Sequence, residues 1–208
     1  MNIRKKLPFP AKFKQVTVTD PLQVPATIES LTGNQNVDII VIDSLSFLMQ
    51  MYESDYVLTA ANGQKAWGDY AQFFINMMQK SVAKSDKAII FTSHVGDTFN
   101  ESEMVTETKA LVKGALSKMG LEAYFSCVIS AKKMKIKDLK PYLTDNNKLL
   151  TVTPQEEALG FKYVFQTQLT KDTVNEKIRH PLMMWHTDET FINADITLVL
   201  ERLKQYYV

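Results

Sequence analysis

Two short apolar runs constrain the fold of this chain more than any other feature. Residues 37–42 read Val-Asp-Ile-Ile-Val-Ile and lead directly into Asp43 and Ser44, and residues 88–93 read Ala-Ile-Ile-Phe-Thr-Ser and lead into His94. Runs this apolar are typical of strands that are buried on both faces, as in parallel sheets covered by helices. They predict an α/β fold with a mostly parallel sheet.

The stretch between the two runs has the spacing of an amphipathic helix. Large apolar side chains recur within residues 64–84 so that they share one helix face. They are Trp67, Tyr70, Phe74, Met77, Met78 and Val82. Residues 16–20 and 123–131 predict further strands, and residues 21–31 predict a short helix that ends before Gly33.

The other segments are more polar. We interpret residues 95–113 as a long loop of the kind that is usually functional. Apolar and polar residues alternate over 161–169, which predicts a strand of a C-terminal β element. Apolar residues within 195–207 recur at helical spacing, which predicts a closing helix. The predicted organisation is one domain with a core at 14–132 and a C-terminal extension at 133–208.

Composition limits the partners and the compartment. The chain has 208 residues and a net charge of +1, so any nucleic-acid affinity must come from local clusters of charge. The single cysteine excludes a disulfide within the chain, which suits the cytoplasm. The sequence shows neither a signal-peptide pattern nor an 18-residue apolar run, so no membrane partner is expected.

The strand ends carry the residues with the clearest chemical interpretation. A carboxylate that follows a buried strand, as Asp43 does, is typical of an aspartate that binds Mg²⁺ on nucleotide phosphates (Walker B). The alternative is that Asp43 only caps the next helix. His94 ends the second strand, where nucleotide ligands of α/β sheets lie. It would contact a γ-phosphate there, or have a purely structural role.

The phosphate-binding loop expected with such an aspartate is missing from these 208 residues. That loop has the pattern G-x-x-x-x-G-K-[ST] and holds phosphates with its backbone amides. Only Gly33 precedes Asp43, and the other six glycines do not have this spacing. No Ser/His/Asp constellation or Cys/His zinc set is visible either.

Several lysines are candidates for phosphate contacts. Lys109 and Lys113 lie near the end of the polar segment, from which they would reach DNA or a neighbouring subunit's nucleotide. Lys132, Lys133 and Lys135 belong to a denser basic cluster that would contact single-stranded DNA. The alternative for every one of these lysines is an ordinary solvated surface.

The order of these parts resembles a known family. Asp43-Ser44 at a strand end, a strand ending at Ser93-His94, and the later segment Lys113-Gly-Ala-Leu-Ser-Lys resemble the RecA-like core of phage-encoded AAA/RecA-type P-loop ATPases of recombination and single-strand annealing. The resemblance implies ATP and Mg²⁺ as cofactors, Asp43 with Ser44 at the nucleotide, and Asp43 as the magnesium ligand. It also implies catalytic roles for His94 and Lys113 and contact with single-stranded DNA.

The resemblance fails at the N-terminus. In that family the P-loop precedes the strand that we predict at 16–20. Only fifteen residues lie before that strand in this chain. A strand, a P-loop and its helix require roughly thirty. We therefore expect the C-terminal portion of such an ATPase. Alone it would be inactive, and it would need self-association or a partner that carries the P-loop. The alternative is a non-catalytic module of that fold that binds DNA or a recombinase.

Overall fold

The two apolar runs form the parallel strand pair that the sequence predicts. A computed structural model of the chain describes residues 14–101 and 103–207. Strand β1 (Ile39–Ile42) pairs in parallel with strand β2 (Ala88–Phe91), with Ile39 opposite Ala88. This pair is one of three small sheets in the described ranges, and the other two, of two and three strands, are antiparallel. The mixed α/β class is confirmed, but the predicted mostly parallel sheet is wrong, because three of the four strand pairs among the described residues are antiparallel.

The α-helices and strands follow one another with short 3₁₀ and π segments between them. In chain order they are α1 (Gln23–Leu31), β1, α2 (Leu45–Tyr52), α3 (Gly63–Asn76), β2, β3 (Val95–Asn100), β4 (Val105–Ala110), α4 (Leu116–Met119), β5 (Ser130–Lys135), α5 (Ile136–Leu139), α6 (Pro154–Leu159), β6 (Phe161–Gln166), β7 (Phe191–Asn193) and α7 (Ile196–Tyr207). The short segments are π-helical at Glu53–Val57 and Met77–Val82 and 3₁₀ at Leu121–Tyr124, Lys140–Tyr142 and Thr187–Thr190.

The chain divides into two compact units. The first contains the described residues 14–94 together with Val112–Ala115, and the second contains Val95–Leu111 and the residues from Leu116 onward. Residues of the predicted core at 14–132 are therefore found in both units.

The first unit is built from β1, β2 and the helices that connect them. The predicted helix at 64–84 is present as α3 and its π-helical continuation. Its apolar face is buried, with Tyr70 and Phe74 almost fully inaccessible. The helix predicted at 21–31 is α1, and Gly33 follows it in the left-handed conformation that ends such a helix.

The strand predicted at 16–20 is wrong, because these residues are irregular. The backbone amides of Thr19 and Asp20 donate to the side chain of Gln23, and Asp20 accepts from the amide of Leu22. The end of this segment thus bonds to the start of α1, and residues 16–20 have no strand partner.

The second unit contains the two antiparallel sheets. The segment at 95–113, which was expected to be a loop, is mainly a hairpin of β3 and β4, with Val95 opposite Ala110. The strand predicted at 123–131 is shifted, since only Ser130–Lys135 forms β5. The predicted C-terminal β element and closing helix are confirmed as β6 and α7.

Candidate functional site

Asp43 and Thr92 meet where the two parallel strands end. Asp43 follows β1, Thr92 follows β2, and the Thr92 hydroxyl donates to Asp43 Oδ1 at 2.5 Å. Backbone bonds hold this edge in place: the amide of Thr92 donates to Ile42 O at 3.1 Å, and the amide of Leu45 donates to Thr92 O at 2.8 Å. Both Asp43 and Thr92 are exposed, so a ligand can reach the carboxylate.

Ser44 has a mainly structural environment. Its side chain is buried and caps α2 by accepting from the amide of Phe47 at 3.4 Å. The peptide bond between Asp43 and Ser44 is cis. The residue that caps α2 is therefore Ser44 and not Asp43, whose carboxylate lies at the strand edge and accepts from Thr92.

His94 lies at the same edge of the strand pair. Its backbone amide donates to Ser46 Oγ at 3.0 Å, and that oxygen also lies 3.0 Å from Ser93 Oγ. Its imidazole packs edge-to-face against Phe47, with ring centroids 5.1 Å apart. The two predicted strand-end residues, Asp43 and His94, are thus on one edge, together with the hydroxyls of Thr92 and Ser46.

The edge can hold a metal ion only with outside ligands. Among residues 14–101 and 103–207, no group of three or more His, Cys, Asp or Glu side chains is placed to bind a metal ion. Mg²⁺ commonly takes one or two protein carboxylates and completes its six oxygen ligands with water and substrate phosphates. The single carboxylate of Asp43 fits a site of this kind, in which water and substrate phosphates supply the other ligands.

Lys113 contacts the helices of the first unit. Its ammonium pairs with Glu53 at 2.8 Å, and its backbone amide donates to the hydroxyl of Tyr70 at 3.2 Å. Gly114 follows in a left-handed conformation against the ring of Trp67. These contacts anchor Val112–Ala115 to α3 and the π-helical segment after α2, and none of them involves Asp43 or His94.

Lys109 belongs to a charged cluster of the second unit. Its ammonium donates to Ser117 O at 3.0 Å and lies 3.5 Å from Glu107, which also pairs with Lys177 at 2.6 Å. The hydrogen bond from Lys177, supported by the charges of Lys177 and Lys109, holds the pKa of Glu107 below its ordinary value. Lys109 therefore has internal partners in place of a free ammonium.

The three lysines of β5 differ in their surroundings. Lys132 forms a close ion pair with Glu176. The ammonium of Lys133 lies 3.8 Å from the centroid of the Phe161 ring, and the ammonium of Lys135 forms no hydrogen bond or ion pair within the described ranges. Lys133 and Lys135 are exposed, so these two remain available for a phosphate contact.

Thr92 and Ser46 are the site residues that the sequence interpretation missed. Thr92 lies inside the second apolar run, where a threonine is an ordinary β-branched strand residue. The available signal was its position: a hydroxyl at the end of a strand that pairs with the Asp43 strand. Ser46 gave no comparable signal, because its contact with His94 joins residues that are far apart in the sequence.

Comparisons with models of protein families, with curated proteins and with solved structures found no match to this chain. Within the part of the chain that the structure describes, no helix has the length and apolar character to span a membrane.

Proposed function

We propose that this chain is the C-terminal portion of a phage RecA-like P-loop ATPase that acts on single-stranded DNA in recombination or annealing. The observation that supports it best is the Asp43–Thr92 pair at the common end of two parallel apolar strands. Nucleotide ligands of α/β sheets lie at this end, where a carboxylate can bind the Mg²⁺ that bridges phosphates.

Each residue of the edge has a role in this proposal. Asp43 would hold Mg²⁺, and the Thr92 hydroxyl orients the carboxylate by donating to Oδ1. His94 contacts the terminal phosphate from the second strand, with Phe47 and Ser46 fixing its position. A Mg²⁺ ion held there would offset the charge of the phosphates during phosphoryl transfer.

The proposal requires a phosphate-binding loop from outside these residues. The chain lacks the pattern G-x-x-x-x-G-K-[ST], whose amides and lysine supply most phosphate contacts. Ile39 and Val41 of β1 are 43% and 55% exposed, which is unusual for so apolar a strand. A P-loop-bearing partner segment that covers these strands would complete both the sheet and the nucleotide site.

A titration with Mg·ATP tests the assignment. We expect the chain alone to bind weakly, with a dissociation constant of about a millimolar or more, and Asp43→Asn to weaken binding about tenfold. Asp38 precedes the same strand at its opposite end, so Asp38→Asn is the matched control and should leave the affinity unchanged. Equal effects of the two variants would overturn the assignment to Asp43. Robust ATP turnover at micromolar affinity would overturn the requirement for a separate loop.

A non-catalytic DNA-binding module is the second candidate. The observation that favours it is the exposure of Lys133 and Lys135 on β5. This reading predicts salt-sensitive binding of single-stranded DNA that is the same with and without Mg·ATP. Absence of binding at low salt would exclude it.

A further inference from the structure

One face of the β5–β6 sheet combines aromatic and basic side chains. The two strands are antiparallel, with Lys133 directly opposite Tyr163 and Lys135 directly opposite Phe161. Because side chains alternate along a strand, these four residues lie on the same face of the sheet.

The aromatic pair is open to solvent. Tyr163 is 62% exposed. A tyrosine ring is stabilised when its apolar faces are buried, so a ligand that covers this ring would be bound favourably. Phe161 is half-buried and meets Tyr163 edge-to-face, with ring centroids 5.9 Å apart. Lys133 covers Phe161 through its cation–π contact, so Tyr163 is the ring of this pair that remains free for a planar ligand.

The charge of this face is positive. Lys132 and Lys162 lie on the opposite face, where Glu176 and Glu156 neutralise them. The next cross-strand pair on the aromatic face is uncharged, since Ala131 lies opposite Phe165. The ammonium groups of Lys133 and Lys135 are therefore not offset by a carboxylate from either strand.

We propose that this face, here called the Tyr163 platform, binds single-stranded DNA. A base stacks on Tyr163, and the adjacent phosphates contact Lys133 and Lys135. Stacking on an aromatic ring together with lysine–phosphate contacts is how proteins bind single strands without reading sequence. A duplex keeps its bases stacked inside, so it would use only the lysines. The inference rests on the proposed action on single-stranded DNA and names the surface that performs it.

Binding of a fluorescein-labelled oligo(dT) of about 15 nucleotides, followed by anisotropy, tests the stacking step. We expect Tyr163→Ala to weaken binding at least about fivefold and Tyr163→Phe to retain the affinity, because stacking uses the ring and not the hydroxyl. Tyr207 on α7 is 65% exposed and supplies the matched control, Tyr207→Ala, which should bind like the unchanged chain. Circular dichroism verifies that each variant is folded.

Salt dependence tests the phosphate contacts separately. Each lysine that contacts a phosphate of a single strand contributes about 0.7 to the slope of log affinity against log salt. Lys133→Ala and Lys135→Ala should each reduce the slope by about this amount. Lys204→Ala, at an exposed position of α7, should leave it unchanged.

Several results would overturn the platform. They are equal affinities of Tyr163→Ala and Tyr207→Ala, equal affinity for duplex and single strand, and no binding of oligo(dT) at low salt. The platform and the nucleotide site fail independently. If Tyr163→Ala weakens DNA binding but Asp43→Asn does not weaken Mg·ATP binding, only the nucleotide site is overturned. If Asp43→Asn weakens Mg·ATP binding but Tyr163→Ala leaves DNA binding unchanged, only the platform is overturned.

Discussion

At the scale of single residues, Glu107 and Lys132 of the second unit each pair with a residue far away in the sequence. Glu107 on β4 pairs with Lys177, and β4 also forms backbone bonds with the segment around Asn175. The hydrogen bond from Lys177 lowers the pKa of Glu107 in the folded state. A carboxyl group whose pKa is lowered by folding stabilises the protein only while it is ionised.

This shift predicts how stability depends on pH. The contribution of Glu107 is complete above its unfolded pKa, close to the ordinary 4.5, and is lost as pH falls from there through the lower folded pKa. Glu107→Gln should therefore flatten the decline of stability below about pH 4.5, measured as urea midpoints across acidic pH. Glu101→Gln, at an exposed position of the same hairpin, is the control. A pH profile unchanged by Glu107→Gln would contradict this account.

Gly114 provides a second residue-scale prediction. It has φ +61°, and a Cβ there would lie 3.1 Å from a carbon of the Trp67 ring. Gly114→Ala should lower the free energy of unfolding by about 2–3 kcal/mol, because backbone strain of about 1–2 kcal/mol is added to a displaced tryptophan. Gly120 has φ +68° and no atom within 4 Å of a Cβ, so Gly120→Ala should show the strain alone. Equal losses for the two variants in urea unfolding would show that Trp67 is not packed on Gly114.

At the scale of secondary-structure elements, the apolar strands could be predicted and the polar hairpin could not. The residues of β1 and β2 are so apolar that a strand inside a sheet is the natural prediction for them. The hairpin of β3 and β4 carries acidic residues, and its cation partner Lys177 lies outside the hairpin. Residues 16–20 show the reverse case: the run is β-branched but forms no strand, and the amides of Thr19 and Asp20 donate to Gln23.

The β1–β2 pair leads to a prediction about association. Its strands have one partner each among the described residues, and Val41 is more than half exposed. Open apolar strands pair with other chains, and a lysine on such a strand opposes this. Val41→Lys should therefore reduce concentration-dependent self-association measured by sedimentation. Leu58→Lys changes another exposed apolar residue of the same unit and is the control. A strictly monomeric unchanged chain would refute the prediction.

At the scale of the whole molecule, the sequence was sufficient to predict that Asp43 and His94 lie at one edge of the strand pair. It was not sufficient to predict which lysines are free and which form ion pairs. Both strand-end residues follow from the parallel pairing, because parallel strands end at one edge. The environments of Lys113 and Lys132 depend on Glu53 and Glu176, which no local pattern connects to them. The division into two units is likewise not visible in composition, since the chain enters the first unit again at Val112–Ala115.

We have proposed that the Asp43 edge binds a metal ion together with nucleotide phosphates. Mn²⁺ takes the same oxygen ligands as Mg²⁺ and broadens the NMR signals of nearby nuclei, so it locates the ion directly. In the presence of ATP, we predict that Mn²⁺ broadens the amide signals of Asp43, Thr92 and His94 first, and that Asp43→Asn removes this effect. Broadening centred elsewhere, or broadening at this edge that persists in Asp43→Asn, would contradict the account.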